Sequence, residues 1–197
     1  MSDTQAIRDA ASLLLLREGE AGPEVLMGAR SAGHAFMPNR LVFPGGGVDA
    51  GDFTAPVAAE APEPVRVRLA ACGGAALARA LTVAAARELE EETGLSLGDP
   101  PDLSGLAYLC RAVTPPTMKI RFDARFFVVD AGRCQGTLAG SGELEQLTWF
   151  GVDAALALDL AFPTRKVLER LKLWRLESDT ARLGAVPTLL NRDWVMQ

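Results

Sequence analysis

Histidine is almost missing from this chain: His34 is the only one among 197 residues. A single histidine in a Gly-, Pro- and Asn-bearing stretch reads as a hydrogen-bonded surface residue, so chemistry centred on imidazole is not expected. Cysteine is also scarce. Cys72, Cys110 and Cys134 are odd in number and have neither close pairing nor metal-ligand spacing. That excludes a disulfide framework and reads as reduced thiols in a cytoplasmic protein. Positive charge is in deficit, 20 Lys and Arg against 25 Asp and Glu for a net charge of −5. No general affinity for nucleic acid or an anionic membrane is expected from that balance. Long apolar runs are missing too, since the Leu13–Leu16 run falls far short of the roughly 20 residues that span a bilayer. Met1-Ser2-Asp3-Thr4 carries no basic region of the signal-peptide kind, and Val195-Met196-Gln197 is no peroxisomal address. Internal repeats and linker-like stretches are absent, which leaves one domain long enough to bury a substantial core.

Acidic residues, by contrast, are concentrated in Arg87-Glu88-Leu89-Glu90-Glu91-Glu92-Thr93-Gly94-Leu95. This stretch closes an alanine-rich run from Ala75 that reads as a helix with a glycine stop at Gly94. At about 100° per residue, Glu88, Glu91 and Glu92 fall within roughly one 100° arc, and Glu90 points away. Like charges on one helical face repel by about 0.2–0.5 kcal/mol per pair, and the last turns of a helix disfavour negative charge. A sequence selected only for helix stability would place Lys or Arg there. A hard divalent cation, which takes oxygen ligands, is the simplest compensation; a solvated acidic face is the alternative.

Upstream lies Phe43-Pro44-Gly45-Gly46-Gly47-Val48-Asp49-Ala50-Gly51-Asp52. Together the two stretches resemble the signature of the Nudix hydrolases, Gly-x5-Glu-x7-Arg-Glu-apolar-x-Glu-Glu-x-Gly-apolar. Gly46 and Asp52 match the first part, with Asp in place of Glu, and Arg87 to Leu95 match the second at every specified position. The spacing departs: 87 − 52 − 1 leaves 34 residues where the pattern has seven, a 27-residue insertion at about 53–79. An interrupted signature of this kind resembles a subgroup that includes coenzyme A diphosphatases. Arg30-Ser31 matches the start of that subgroup's upstream motif, whereas Asn39 stands where a glycine is expected and an inner arginine is missing.

The resemblance implies an α/β fold, an α/β/α sandwich around a mixed sheet, with the signature forming a loop–helix–loop. It implies Mg²⁺- or Mn²⁺-dependent hydrolysis of a diphosphate that joins a nucleoside to another group, on a small nucleotide-type substrate. Glu88, Glu91 and Glu92 would hold the metal, with the Gly45 carbonyl and Asp52 as further candidate ligands. Arg87 would orient the carboxylates. Coenzyme A or an acyl-coenzyme A leads the substrates; NADH, ADP-ribose and nucleoside triphosphates are the alternatives. A ligand sensor of the same fold without catalysis is the alternative of another class, disfavoured because every acid of the helical part is kept.

Other elements follow from period and punctuation. Ala10–Leu16 and Glu24–Ala29 read as a β-hairpin, and Leu106–Val113 as a strand. Within Phe53–Gly74 the prolines argue for a loop, with an extended piece at Val65–Arg68, either a substrate-selecting lid or a surface excursion. Arg121, Asp123 and Arg125 share one face of a strand, read as lining a polar cleft. Arg30, Arg40, Arg121 and Arg125 are therefore the candidate substrate-binding cations, the first two flanking the approach to Gly45. Glu143 and Glu145 are candidates for an additional acid. Val167, Leu168, Leu171 and Trp174 form the apolar stripe of a C-terminal helix. The tail from Gly184 reads as an edge strand or a homodimer contact.

Overall fold

The computed structural model describes residues 6–30 and 40–197, and His34, Ser31 and Asn39 lie outside them. Its centre is β1 (Arg8–Gly19), whose leucine run is buried on both faces. Strand geometry sends alternate side chains to opposite sides. Ala11, Leu13 and Leu15 accordingly join one core cluster, and Leu14 joins the other. A tight turn at Gly19–Gly22 returns the chain as β2 (Gly22–Arg30). The remaining strands are β3 (Leu41–Val42), β4 (Gly45–Gly47), β5 (Leu95–Ser96), β6 (Ala107–Val113), β7 (Phe122–Asp130), β8 (Gln135–Gly136), β9 (Leu144–Gly151), β10 (Pro187–Leu190) and β11 (Asp193–Met196).

The main sheet runs β11-β10-β6-β7-β1-β2-β3, with β4 added to β1 and β9 to β2. It is mixed: β1 is parallel to β7 and β10 to β6, and the other pairings are antiparallel. On one face lie α1 (Glu63–Ala70) and α2 (Gly74–Thr93); on the other lie α3 (Val152–Leu156) and α4 (Phe162–Leu176). A short α5 (Asp179–Arg182) follows α4. The α/β/α sandwich is thus present, and β11 forms the sheet edge expected of the tail. Among the described residues, no single helix is long and apolar enough to cross a membrane.

Between Asp52 and Arg87 the structure corrects the sequence expectation. Val65–Arg68 is not extended: it lies inside α1, with Pro64 in the first turn, where proline's fixed φ suits a helix and its missing N–H costs nothing. Val65 and Leu69, one helical turn apart, are buried with Ala61 in the core cluster that holds Leu81 and Ala85 of α2. Arg79 fastens the preceding stretch by donating to the carbonyls of Phe53 and Ala55 and to Glu60. This segment is a packed wall of the domain, which argues against a loose lid. Leu69→Ala is therefore expected to cost about 2–5 kcal/mol and to lower the thermal midpoint by about 10 °C, with kcat/KM retained by the folded fraction. An unchanged midpoint with an altered KM would restore the lid.

Candidate active site

Helix α2 delivers the acids. Gly94 ends it in the left-handed region at φ 71°, its N–H returning to the Glu90 carbonyl, a conformation that glycine adopts without steric cost. Glu88 and Glu92 are buried, whereas Glu90 and Glu91 are exposed. Both buried carboxyls face the glycine strand β4. The backbone N–H of Gly45 donates to Glu92 at 2.7 Å. Gly46 lies so close to Glu88 that a Cβ built on it would sit 2.4 Å from Oε1. Any side chain at residue 46 would have to displace that carboxylate.

Arg87 joins the two halves. Its Nε and Nη2 donate to Asp52 at 2.9 and 3.1 Å, Nη1 to Glu88 at 2.9 Å and Glu91 at 2.8 Å, and Nη2 also to the Gly47 carbonyl at 2.9 Å. Asp52, buried at 2 % exposure, also accepts the Asp49 N–H at 2.7 Å. The planar fork suits such bridging in a way an ammonium could not. The hydrogen bond to Asp52, followed by the nearby Glu88 charge, drives the Arg87 pKa upward despite partial burial.

Burial dominates the electrostatics of the two inner carboxyls. Desolvation pushes Glu88 above the usual carboxylate range, opposed chiefly by Arg87. It pushes Glu92 up to about 7, opposed by the Gly45 N–H and the Arg30 charge and reinforced by Glu88 and Glu143. For both carboxylates the cost of burial outweighs the compensation from Arg87, Arg30 and the Gly45 N–H.

The substrate-binding candidates separate. Arg30 stays at the site, its Nη2 3.5 Å from the Gly45 carbonyl and its charge felt by Glu92. Arg40 shares a backbone hydrogen bond with Arg30, but its guanidinium turns to Asp159. Arg121 points to the Thr114 carbonyl at 3.4 Å. Arg125 requires correction. It is 1 % exposed and donates to Asp9 and to the Asp123 carbonyl, while Asp123 also takes two bonds from Arg111 at 2.7 Å. This strand face is a buried ion-pair ladder across β1, β7 and β6, not a cleft lining. Arg125→Met should accordingly lower stability by about 3–5 kcal/mol, as expected when one partner of a buried pair is removed. A KM change at unaltered thermal midpoint would reinstate Arg125 as a substrate contact.

Of the further acids, Glu143 acts electrostatically on both Glu88 and Glu92. Glu145 is an exposed β9 residue paired in register with Ala29. Sequence reasoning missed the Gly45 N–H, the Gly47 carbonyl and Asp49, whose carboxylate lies 3.9 Å from Arg87. The triple glycine was the available signal, because consecutive glycines expose backbone groups to close neighbours.

Among the described residues, no three His, Cys, Asp or Glu side chains stand gathered as a ready metal cage. The donor chemistry nevertheless fits a hard divalent cation, which prefers oxygen ligands. Glu88 and Glu92 are desolvated oxygen donors, Glu92 raised further by Glu88 and Glu88 by Glu91, and added positive charge would relieve the cost of ionising them.

The NUDIX domain family model matches residues 63–171, more than half of the chain. The chain belongs to the Nudix family. A Nudix hydrolase from Alicyclobacillus acidocaldarius is 27% identical, with a TM-score of 0.62 over 84% of this chain and 90% of that one. A MutT Nudix hydrolase from Burkholderia pseudomallei is 22% identical, with a TM-score of 0.57 over 85% and 99%. The Nudix domain of Shewanella oneidensis NrtR, solved with ADP-ribose, is 18% identical, with a TM-score of 0.54 over 88% and 90%. No curated protein matches the chain. This Nudix protein is a pyrophosphohydrolase of nucleoside diphosphate-linked, small-molecule substrates, and Nudix hydrolases generally use divalent metal ions.

Proposed function

We propose that this Nudix protein performs Mg²⁺- or Mn²⁺-dependent cleavage of a diphosphate whose second substituent is large, with coenzyme A or an acyl-coenzyme A as the leading substrate. The observation that carries the reading is Arg87. Across 34 intervening residues it meets Asp52 and the Gly47 carbonyl on one side and Glu88 and Glu91 on the other. Glu88, Glu91 and Glu92 would hold the cation, with Asp52 bracing Arg87. A bound divalent cation supplies neutralisation of diphosphate charge and a lowered pKa for water. The chain's own contribution is positional: Arg87 fixes two carboxylates, and the Gly45 N–H fixes Glu92. Arg30 adds positive charge on the side of the site where an outer phosphate would lie. The wide spacing between Asp52 and Arg87 supports a 27-residue insertion of the interrupted-signature subgroup. Free thiols at Cys72, Cys110 and Cys134 support a cytoplasmic setting. Exposed Val195 and Met196 on β11 support the edge as a homodimer contact.

The test is a panel of coenzyme A, acyl-coenzyme A, NADH, ADP-ribose and nucleoside triphosphates, each with Mg²⁺ and with Mn²⁺, products identified by mass. Coenzyme A should give the highest kcat/KM. A charge-assisted contact from Arg30 to the 3′-phosphate is worth about 1.5–3 kcal/mol, so Arg30→Ala should reduce the preference for coenzyme A over its 3′-dephospho form tenfold or more. Equal rates on both forms in wild type would remove coenzyme A as the specific substrate.

A further inference from the structure

Beyond Asp52, on the flank of α2 away from Glu88 and Glu92, lies a cavity of about 490 Å³. That volume is in the range of small-molecule sites, about 300–1,000 Å³. Its walls are mostly apolar, with Ala55 and Pro56 from the segment between Asp52 and Arg87, Val83 from α2, and Leu97 from the loop after β5, and Asp49 is among the charged residues that also line it. Asp52 and Arg87 themselves line it, so the cavity begins where the acidic face ends.

Its electrostatics differ from those of the opposite end of the site. Among the described residues Arg87 is the sole basic one in the lining, and its donors are engaged by Asp52, Glu88, Glu91 and the Gly47 carbonyl. Glu90 and Asp99 at the rim form no ion pair among the described residues. A phosphate entering here would meet uncompensated carboxylates and apolar walls, both of which disfavour it. At the other end, Arg30 stands beside the Gly45 carbonyl. The order along the surface is Arg30, Glu92, Glu88, Arg87, Asp52 and then the cavity. Arg30 therefore marks one end, with Glu143 also acting on Glu92 there, and a largely apolar chamber rimmed by carboxylates marks the other.

We infer that this cavity receives the uncharged half of the substrate, so that the diphosphate is always presented in one direction, with its nucleotide end towards Arg30. For coenzyme A, the reading on which this rests, the occupant is the pantetheine arm: slender and uncharged, with two amides set between short apolar segments. The phosphoadenosine end is kept out by Glu90 and Asp99. The walls thus act as a specificity device, selecting what hangs from the diphosphate.

The decisive probe is pantetheine alone, measured by ligand-observed NMR on the full chain without substrate. Wild type should bind it, and Ala55→Trp, which fills the cavity, should bind it at least tenfold more weakly. Glu90→Trp, at an exposed helical position, overhangs the same cavity and serves as the second blocking variant should Ala55→Trp not fold. In both variants the ratio of kcat/KM for coenzyme A to that for ATP should fall tenfold or more. No pantetheine binding to wild type, or equal binding in wild type and both variants, would overturn the assignment. Failure of wild type to hydrolyse coenzyme A would overturn the substrate reading instead, while pantetheine binding and its loss on blocking would still decide the cavity.

Discussion

Glu92→Gln and Glu91→Gln should each lower kcat a hundredfold or more, since even partners behind metal ligands commonly cost 10–100-fold, yet the metal-free protein should stay folded. For Glu92 the stability effect has a definite sign. Its folded-state pKa is raised to about 7 from a usual value near 4.3, so the folded chain holds its proton over a range where the unfolded chain has lost it. Stability contributed by the protonated group is complete below about pH 4 and is lost as pH rises through about 7, amounting to about 4 kcal/mol. Metal-free wild type should therefore melt at a lower temperature at pH 8 than at pH 5.5. Glu92→Gln should flatten that slope and match or exceed wild type at pH 8. Mg²⁺ or Mn²⁺ should flatten it as well, by stabilising the ionised form. Activity within about threefold of wild type in both variants, a loss too small for a transition-state contact, would reduce the acidic face to solvated surface.

Arg87 should give the largest loss of stability of any single residue at the site. Its removal strands Asp52, which is 2 % exposed, and leaves Glu88 without its only ion-pair partner among the described residues. Breaking a buried pair by removing one member costs about 3–5 kcal/mol, equivalent to about 10 °C in thermal midpoint for a domain of this size. Arg87→Lys should recover little of it, because one ammonium cannot hold Asp52, Glu88, Glu91 and the Gly47 carbonyl together. Calorimetry and kcat would be read on the same samples. A lysine variant with wild-type melting would show that charge alone, without the fork, suffices. Double substitution of Arg87 and Asp52 by neutral residues should be less destabilising than the sum of the two, because neither charge is then left stranded.

The acidic helix was legible because its information is local. A 3.6-residue period, a glycine stop and three carboxylates on one arc suffice to place Glu88 and Glu92 together and Glu90 apart. The hairpin and the central strands were legible for the same reason. α1 was not, because prolines normally punctuate loops, and only burial of Val65 and Leu69 against α2 makes a helical turn worth forming there. Arg125 was misread for a different reason. Its partner Asp9 is 116 positions away, and no local period reports which strand will lie alongside. The glycine strand was read only in part. Its Gly45 carbonyl, 3.5 Å from Arg30, was singled out from the sequence, whereas the Gly45 N–H that holds Glu92 was not. Side-chain patterns carry no record of peptide orientation.

The parallel pairing of β1 with β7 has a consequence for how the chain is made. Ribosomes add about 5–20 residues per second, so β1 emerges roughly 10 s before the strand that must lie beside it. Throughout that interval the Leu13–Leu16 run lacks its permanent cover, and exposed strand-forming segments are the usual starting points for aggregation. α2, emerging in between, can coil within microseconds of release. Its carboxylates then travel on the nascent chain as a cluster of negative charge, a solubilising tag for the unfinished sheet.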